Sequence, residues 1–440
     1  MLLSILICIA TEIWLLLVIR KTRLSLGMPV AYLFALHLIH VPGAVAHFYD
    51  TNAILSDIEM TRIGIRFTAI GSVFFVIGVW LARSRRLVLP ERLSPNRKQF
   101  WMFCLLGGWA FTYGLSFLRV IPTLGAAVDK AGGVWMLGVL LGLRDALRRK
   151  DHAWSAFWLG ALTVYPILTL LLGGFLSYGS TAVIVVLGAL AISTRSLPRV
   201  VIVGAVSVVL GISLFLSYFL GRGEIRDVVW GGAPMADRVD VSMNIVRDFQ
   251  LFDPANQKQL IALDQRLNQN YFAGLAATRI NEGDVEYLYG KSIWEGVLSL
   301  VPRAVWPDKP IFAGSPKIVA EMTGLMLSET TSFGVGNVME FQINFGIPGI
   351  VVGFILLGFA LGWLDRQAAL ADVSGNVGKI VLFFLPAVAL IQPNGSLIEL
   401  IGGSGAAFVA AKGWEWLWGM RAAKLSRATR PRYRPVPERR

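Results

Sequence analysis

Two kinds of chemistry are written into the stretch from Tyr287 to Gly349, YLYGKSIWEGVLSLVPRAVWPDKP followed further on by TSFGVGNVMEFQINFGIPG: cations that can hold phosphate oxygens and carboxylates that can take a proton. Arg303 and Lys309 bracket Trp306, whose indole face can stack on a sugar ring between two positive charges. Upstream lie Arg222, Arg226 and Arg279; a guanidinium presents a planar fork that matches phosphate geometry. Glu340 is the first candidate for a general base, because burial raises a carboxylate towards the range where it accepts protons at neutral pH. Asp308, Glu286 and Asp284 are weaker candidates, standing among turn residues that are polar in any case. Each arginine is also explained by snorkelling or by pairing with Glu224 or Asp227, and Glu340 by a structural ion pair at the membrane interface.

The elements that must position these residues are apolar. The chain has 440 residues, 55% hydrophobic and 16% charged, with mean hydropathy +0.61, too little polar surface to enclose a soluble core. Apolar runs approach the roughly 20 residues that cross a bilayer as a helix. About eleven spans are expected, over 2–19, 27–46, 63–82, 100–118, 131–143, 153–172, 178–193, 200–220, 347–363, 380–393 and 396–418. The chain is thus read as all-α and polytopic: an N-terminal bundle (1–220), one large helical excursion (221–345), C-terminal spans (346–418) and a basic, disordered tail (419–440). Pro122, Gly125, Asp129 and Lys130 interrupt the approach to the fifth span and suggest a re-entrant segment.

Charge sets the orientation. With the N-terminus outside, the inner loops and the tail from Arg421 hold 25 of the 41 basic residues, whereas the 221–345 excursion holds 11 basic and 15 acidic residues. The net charge of +13 is therefore a signature of topology and not of nucleic-acid binding. Cys8 and Cys104 have no metal-ligating or nucleophilic neighbourhood, so zinc and thiol chemistry are set aside. No metal or cofactor is expected, and no phosphate-cradling or dinucleotide-binding glycine motif follows a strand.

Within the excursion, apolar residues recur at helical spacing: Val239, Met243, Val246 and Phe249, then Leu260, Leu263 and Leu267. This fits either helices lying on the membrane face or a packed subdomain. Glu12 inside the first span is a functional hypothesis by default, its partner unnamed. Arg119 offers a further phosphate contact or snorkels. Gly334, Gly336 and Gly346 suit close backbone approach.

The loop phrase YLYGKSIWEGVLSLVPRAVWPDKP, the following SFGVGNVMEFQINFGIPGI and a late, dominant outer loop resemble the Wzy-type O-antigen or exopolysaccharide repeat-unit polymerases. Arg279–Gly290 and Arg303–Gly314 also fit the family's arginine-to-glycine spacing. The resemblance covers about a quarter of the chain and implies a membrane fold similar to the GT-C-like glycosyltransferases. It implies a metal-independent enzyme of the bacterial inner membrane, active on its outer face, joining undecaprenyl-pyrophosphate-linked oligosaccharides. Its implied catalytic residues are Glu340 and Arg303, with Arg222, Arg226, Arg279, Trp306 and Lys309 on pyrophosphate or sugar. The bilayer, a chain-length regulator and a flippase are the implied partners. A lipid-linked glycan transporter remains the alternative, as does an O-antigen ligase, although ligases are expected to use a histidine that this loop lacks.

Overall fold

The computed structural model describes every residue except 23, 50–53, 84–95, 116, 119–120, 122–123, 175–176, 195, 304, 311, 313, 327–333 and 429–440. Arg119 and Pro122 lie outside the described residues. Among the described residues all regular structure is helical. In chain order the helices are α1 (Leu2–Thr22), α2 (Met28–Ala46), α3 (Ile58–Ala82), α4 (Arg97–Trp109), α5 (Leu124–Gly132), α6 (Val134–Arg149), α7 (His152–Gly173), α8 (Ser177–Ser193) and α9 (Leu197–Trp230). They continue with α10 (Met235–Arg247), α11 (Gln257–Leu267), α12 (Gln269–Glu282), α13 (Lys291–Ser299), α14 (Ser315–Thr323), α15 (Asn337–Val373), α16 (Val377–Leu390) and α17 (Leu397–Ala428).

Seven helical stretches among the described residues are long and apolar enough to cross a membrane: α1, α2, α3, α5 together with α6, α7, α9 and α15. Most of α8, Gly179–Ser193, and the whole of α16 are shorter apolar helices. Several expected boundaries move. The fourth apolar run closes with one π-helical turn, Ala110–Gly114, short of residue 118. The interrupted approach to the fifth span folds as α5, directly followed by α6. The first part of the expected tail is helical, because α17 runs on to Ala428.

The core is built on α3 and α15, which pack together most extensively, with α1, α2 and α12 around them. Small residues permit this: a Cβ at Gly358 would stand 2.2 Å from the Phe75 carbonyl oxygen, and one at Gly78 2.2 Å from that of Ile355. In a bilayer, helices associate through such close packing rather than through hydrophobic burial. At one end of α15, Asp365 is fully buried and accepts from the backbone N–H groups of Leu26 (2.9 Å) and Met28 (3.3 Å), from Ser25 Oγ and from Arg83. It thereby satisfies the open amides where α2 begins. Two helical turns on, Asp372 holds Arg97 and Arg144.

At its other end α15 is divided. Phe345 (φ −146°) and Gly346 (φ +65°) leave helical geometry just before Pro348, which cannot donate to the ladder. The segment from Asn337 to Asn344 on the far side of this kink is wholly buried.

Candidate functional site

Arg222 and Arg226 stand one turn apart on α9, which continues as a helix past the end of its apolar run at Leu220. Ten further residues at 1.5 Å each carry it about 15 Å beyond. Arg222 lies over the Phe219 ring, with Cζ 3.9 Å from the centroid. Arg266, brought in from α11, faces the same ring at 5.2 Å, and Arg226 lies 5.2 Å from the Trp230 centroid. Burial, and then the charges of Arg222 and Arg226, push Arg266 down to about 10. It remains protonated at neutral pH, so two cations share the Phe219 ring and a third, Arg226, lies one turn along α9 over Trp230. Aromatic faces hold guanidinium groups by cation–π attraction. Such a group is suited to an anion with several oxygens. Arg266 escaped the sequence reading, which followed the apolar stripe Leu260, Leu263 and Leu267 and passed over the charge beside it.

The other predicted cations are placed elsewhere and are engaged by the fold. The Lys309 ammonium donates to the carbonyls of Ser299 (2.8 Å) and Val301 (2.9 Å), closing the end of α13, and lies over the Phe312 ring. Its pKa is lowered by burial and by Arg303. Arg303 donates to the Lys309 carbonyl at 2.9 Å. Trp306 is half-buried in the same turn, its backbone N–H donating to the Pro302 carbonyl. Arg279 meets Asp284 and donates to the Glu321 carbonyl at the end of α14. α9 packs on α7, α10 and α11, while α13 packs on α17 and α15, so the two groups of cations occupy different parts of the molecule.

Glu340 is 0% exposed. Its Oε2 accepts the Leu397 N–H at 2.7 Å, an open amide at the start of α17. Its Oε1 has no hydrogen-bond partner among the described residues. Asn337 and Asn344 continue the polar stripe: Asn337 Oδ1 accepts from Tyr32 Oη at 2.7 Å, and Asn344 Nδ2 donates to Ser292 Oγ at 2.8 Å. This stripe ties α15 to α2, α13 and α17. Enclosed there, Glu340 is not open to a substrate in this conformation.

A second polar network was not legible in the sequence. α2 carries His37 and His40 into the bundle, and His47 caps its end; all three are buried. His37 lies between Glu12 (3.0 Å) and Ser72 (2.9 Å). His40 contacts Asn270 and Thr68, and Asn270 reaches Asn268, which donates to Asp264. Among the described residues no group of three or more His, Cys, Asp or Glu side chains is arranged to hold a metal ion.

No protein-family model, curated protein or solved structure matches the chain.

Proposed function

We propose that this chain is a repeat-unit polymerase resembling the Wzy type, a glycosyltransferase working at the outer face of the bacterial inner membrane. The observation that carries the reading is the meeting of Arg222 and Arg266 on the Phe219 ring, with Arg226 one turn further along α9 and close enough for its charge to act on Arg266, beyond the apolar run of α9. A membrane-surface cluster of three cations matches the pyrophosphate of an undecaprenyl-linked glycan. In the reaction, a hydroxyl oxygen of a new repeat unit forms a bond to the anomeric carbon of the growing glycan. The bond from that carbon to the pyrophosphate oxygen breaks, the leaving group takes the electron pair, and the hydroxyl proton passes to a carboxylate or to water. The arginines stabilise the charge that develops on the leaving pyrophosphate. In this reading Glu340 positions α17 and Lys309 closes α13; the eleven-span topology, the GT-C-like architecture and the outside N-terminus belong to the same proposal.

One observation favours a second reading, transport of the lipid-linked glycan. Glu12 and His37 are an ionisable pair inside the bundle, the kind of group that transport pathways use.

The deciding experiment measures glycan length on undecaprenyl pyrophosphate in producing cells. The triple variant Arg222→Ala, Arg226→Ala, Arg266→Ala is compared with Arg303→Ala at equal protein abundance. Single repeat units on the outer face in the triple variant, with long polymer retained in Arg303→Ala, are the expected result. Long polymer in the triple variant would overturn the phosphate site, and accumulation on the inner face would replace the polymerase by a transporter.

A further inference from the structure

α9, α10 and α11 border a half-open cavity of about 310 Å³, at the lower end of the range for ligand pockets. Its polar lining is Ser217, Glu224, Asn244, Asp248, Gln250 and Gln259, which amounts to two carboxylates, three amides and a hydroxyl, without a cation. Gln259 is buried, and its side-chain carbonyl is fixed by the Asp253 N–H at 2.9 Å. Among the described residues neither Glu224 nor Asp248 is held in an ion pair. The remaining wall is apolar, from Leu216, Leu220, Val241 and Ile245.

This chemistry selects the ligand. Two carboxylates repel a phosphate, and the cavity offers no charge to attract one. Amides and carboxylates together donate to and accept from hydroxyl groups, while the apolar wall suits the C–H face of a pyranose ring. The cavity is also separate from the arginine cluster. Glu224 lies two residues from both Arg222 and Arg226, and at 3.6 residues per turn that places it on the opposite face of α9. α10 puts the cavity at the membrane surface. Val239, Met243 and Val246 form an exposed apolar stripe on the side of α10 turned away from its cavity-lining residues, as in helices that lie in the interface.

We propose that this cavity is a carbohydrate subsite that takes an uncharged sugar unit of the glycan, apart from the pyrophosphate. Its place in polymerisation rests on the function proposed above; the binding itself does not.

The test uses the full chain in lipid nanodiscs and, as probe, the phosphate-free oligosaccharide released by mild acid from the producing cell's own lipid-linked intermediates. Binding is followed by saturation-transfer NMR and calorimetric titration. The first variant is Glu224→Gln with Asp248→Asn, both exposed positions whose exchange keeps shape and removes charge. The second is Gly221→Leu, since a Cβ there meets only Ile245 Cγ1, at 3.7 Å, and the longer side chain enters the cavity. Wild type is expected to bind, the double variant at least about tenfold more weakly, and Gly221→Leu not at all. Equal binding by wild type and both variants, or no binding by wild type, overturns the subsite and leaves the polymerase reading standing. Unchanged polymer length in cells lacking the chain overturns the polymerase reading and leaves the sugar site to the binding data.

Discussion

His37 Nδ1 lies 3.0 Å from Glu12 Oε1, while the opposite ring nitrogen meets Ser72 Oγ at 2.9 Å. The carboxylate, imidazole and hydroxyl thus form one line across α1, α2 and α3. The order is that of a hydrolytic triad, but Ser72 is fully buried and donates to the Thr68 carbonyl, so the line ties three helices together. Removing one partner of such a pair strands the other. His37→Ala is expected to cost roughly 3–5 kcal/mol, and Glu12→Gln, which keeps a hydrogen-bonding oxygen, roughly 1 kcal/mol. Unfolding in detergent measures both, and the double variant should fall short of their sum. Strict additivity would show that the two side chains do not act as a pair.

Asp365 gives the corresponding prediction where α2 begins. Asp365→Ala leaves the Arg83 guanidinium buried beside two open amides of α2. A loss of roughly 3–5 kcal/mol follows, enough to deplete folded protein in the membrane. Asp365→Asn retains an acceptor and should lose less. Size-exclusion profiles of detergent-extracted protein check the order, and equal recovery of Asp365→Ala and wild type would refute it.

For Glu340, two substitutions separate position from chemistry. Glu340→Gln retains an oxygen for the Leu397 N–H, so a positioning role predicts near-normal polymer length and stability. Glu340→Ala leaves that buried amide unsatisfied, at about 1–3 kcal/mol, and should reduce folded protein. Complete loss of polymerisation in Glu340→Gln at normal abundance would return Glu340 to the catalytic role that its sequence suggests.

How far the sequence could be read follows from what each feature depends on. The ends of α1, α2 and α7 were legible within a few residues because apolar length in a bilayer depends on local sequence, whereas α3 begins at Ile58, ahead of its expected start at residue 63. α10 and α11 were not separable: both repeat apolar residues at helical spacing, yet α10 leaves Val239, Met243 and Val246 exposed while α11 buries Leu260, Leu263 and Leu267. Only packing decides between those outcomes. Arg222 and Arg226 were legible as cations just past the eighth apolar run, whereas Arg266 joins them through a tertiary contact 40 residues away that no spacing encodes. The PRAVWPDKP phrase drew attention through composition, and its cations turn out to be spent on backbone carbonyls.

His47 supplies a pH test. Burial pushes its pKa below the ordinary 6.5, outweighing the opposite pull of Asp264 and Asp57. The folded chain therefore keeps the imidazole neutral, while the unfolded chain protonates it near 6.5. Stability from this residue is fully present above 6.5 and declines as the pH falls through 6.5 towards the lowered value. Melting midpoints of wild type should drop more steeply between pH 7 and 5 than those of His47→Gln. Parallel curves would mean that His47 contributes nothing to the pH dependence.

The arginine cluster makes a prediction that a merely structural group would not. If Arg222, Arg226 and Arg266 hold pyrophosphate, affinity for an undecaprenyl pyrophosphate probe in nanodiscs must fall as salt rises, because the contact is ionic and lies at the surface. Removing Arg266 should weaken binding by about 10- to 100-fold, the equivalent of a charge-assisted hydrogen bond at roughly 1.5–3 kcal/mol. It should also flatten the salt dependence. Arg266→Lys keeps the charge but loses the planar fork and its fit against Phe219, so it should recover only part of the affinity. Phe219→Leu removes the ring that faces Arg222 and Arg266 while leaving all three charges, and an intermediate loss is expected. If Arg266→Ala binds the probe as wild type does at every salt concentration, the three cations serve the packing of α9 against α11 and the phosphate must be held elsewhere.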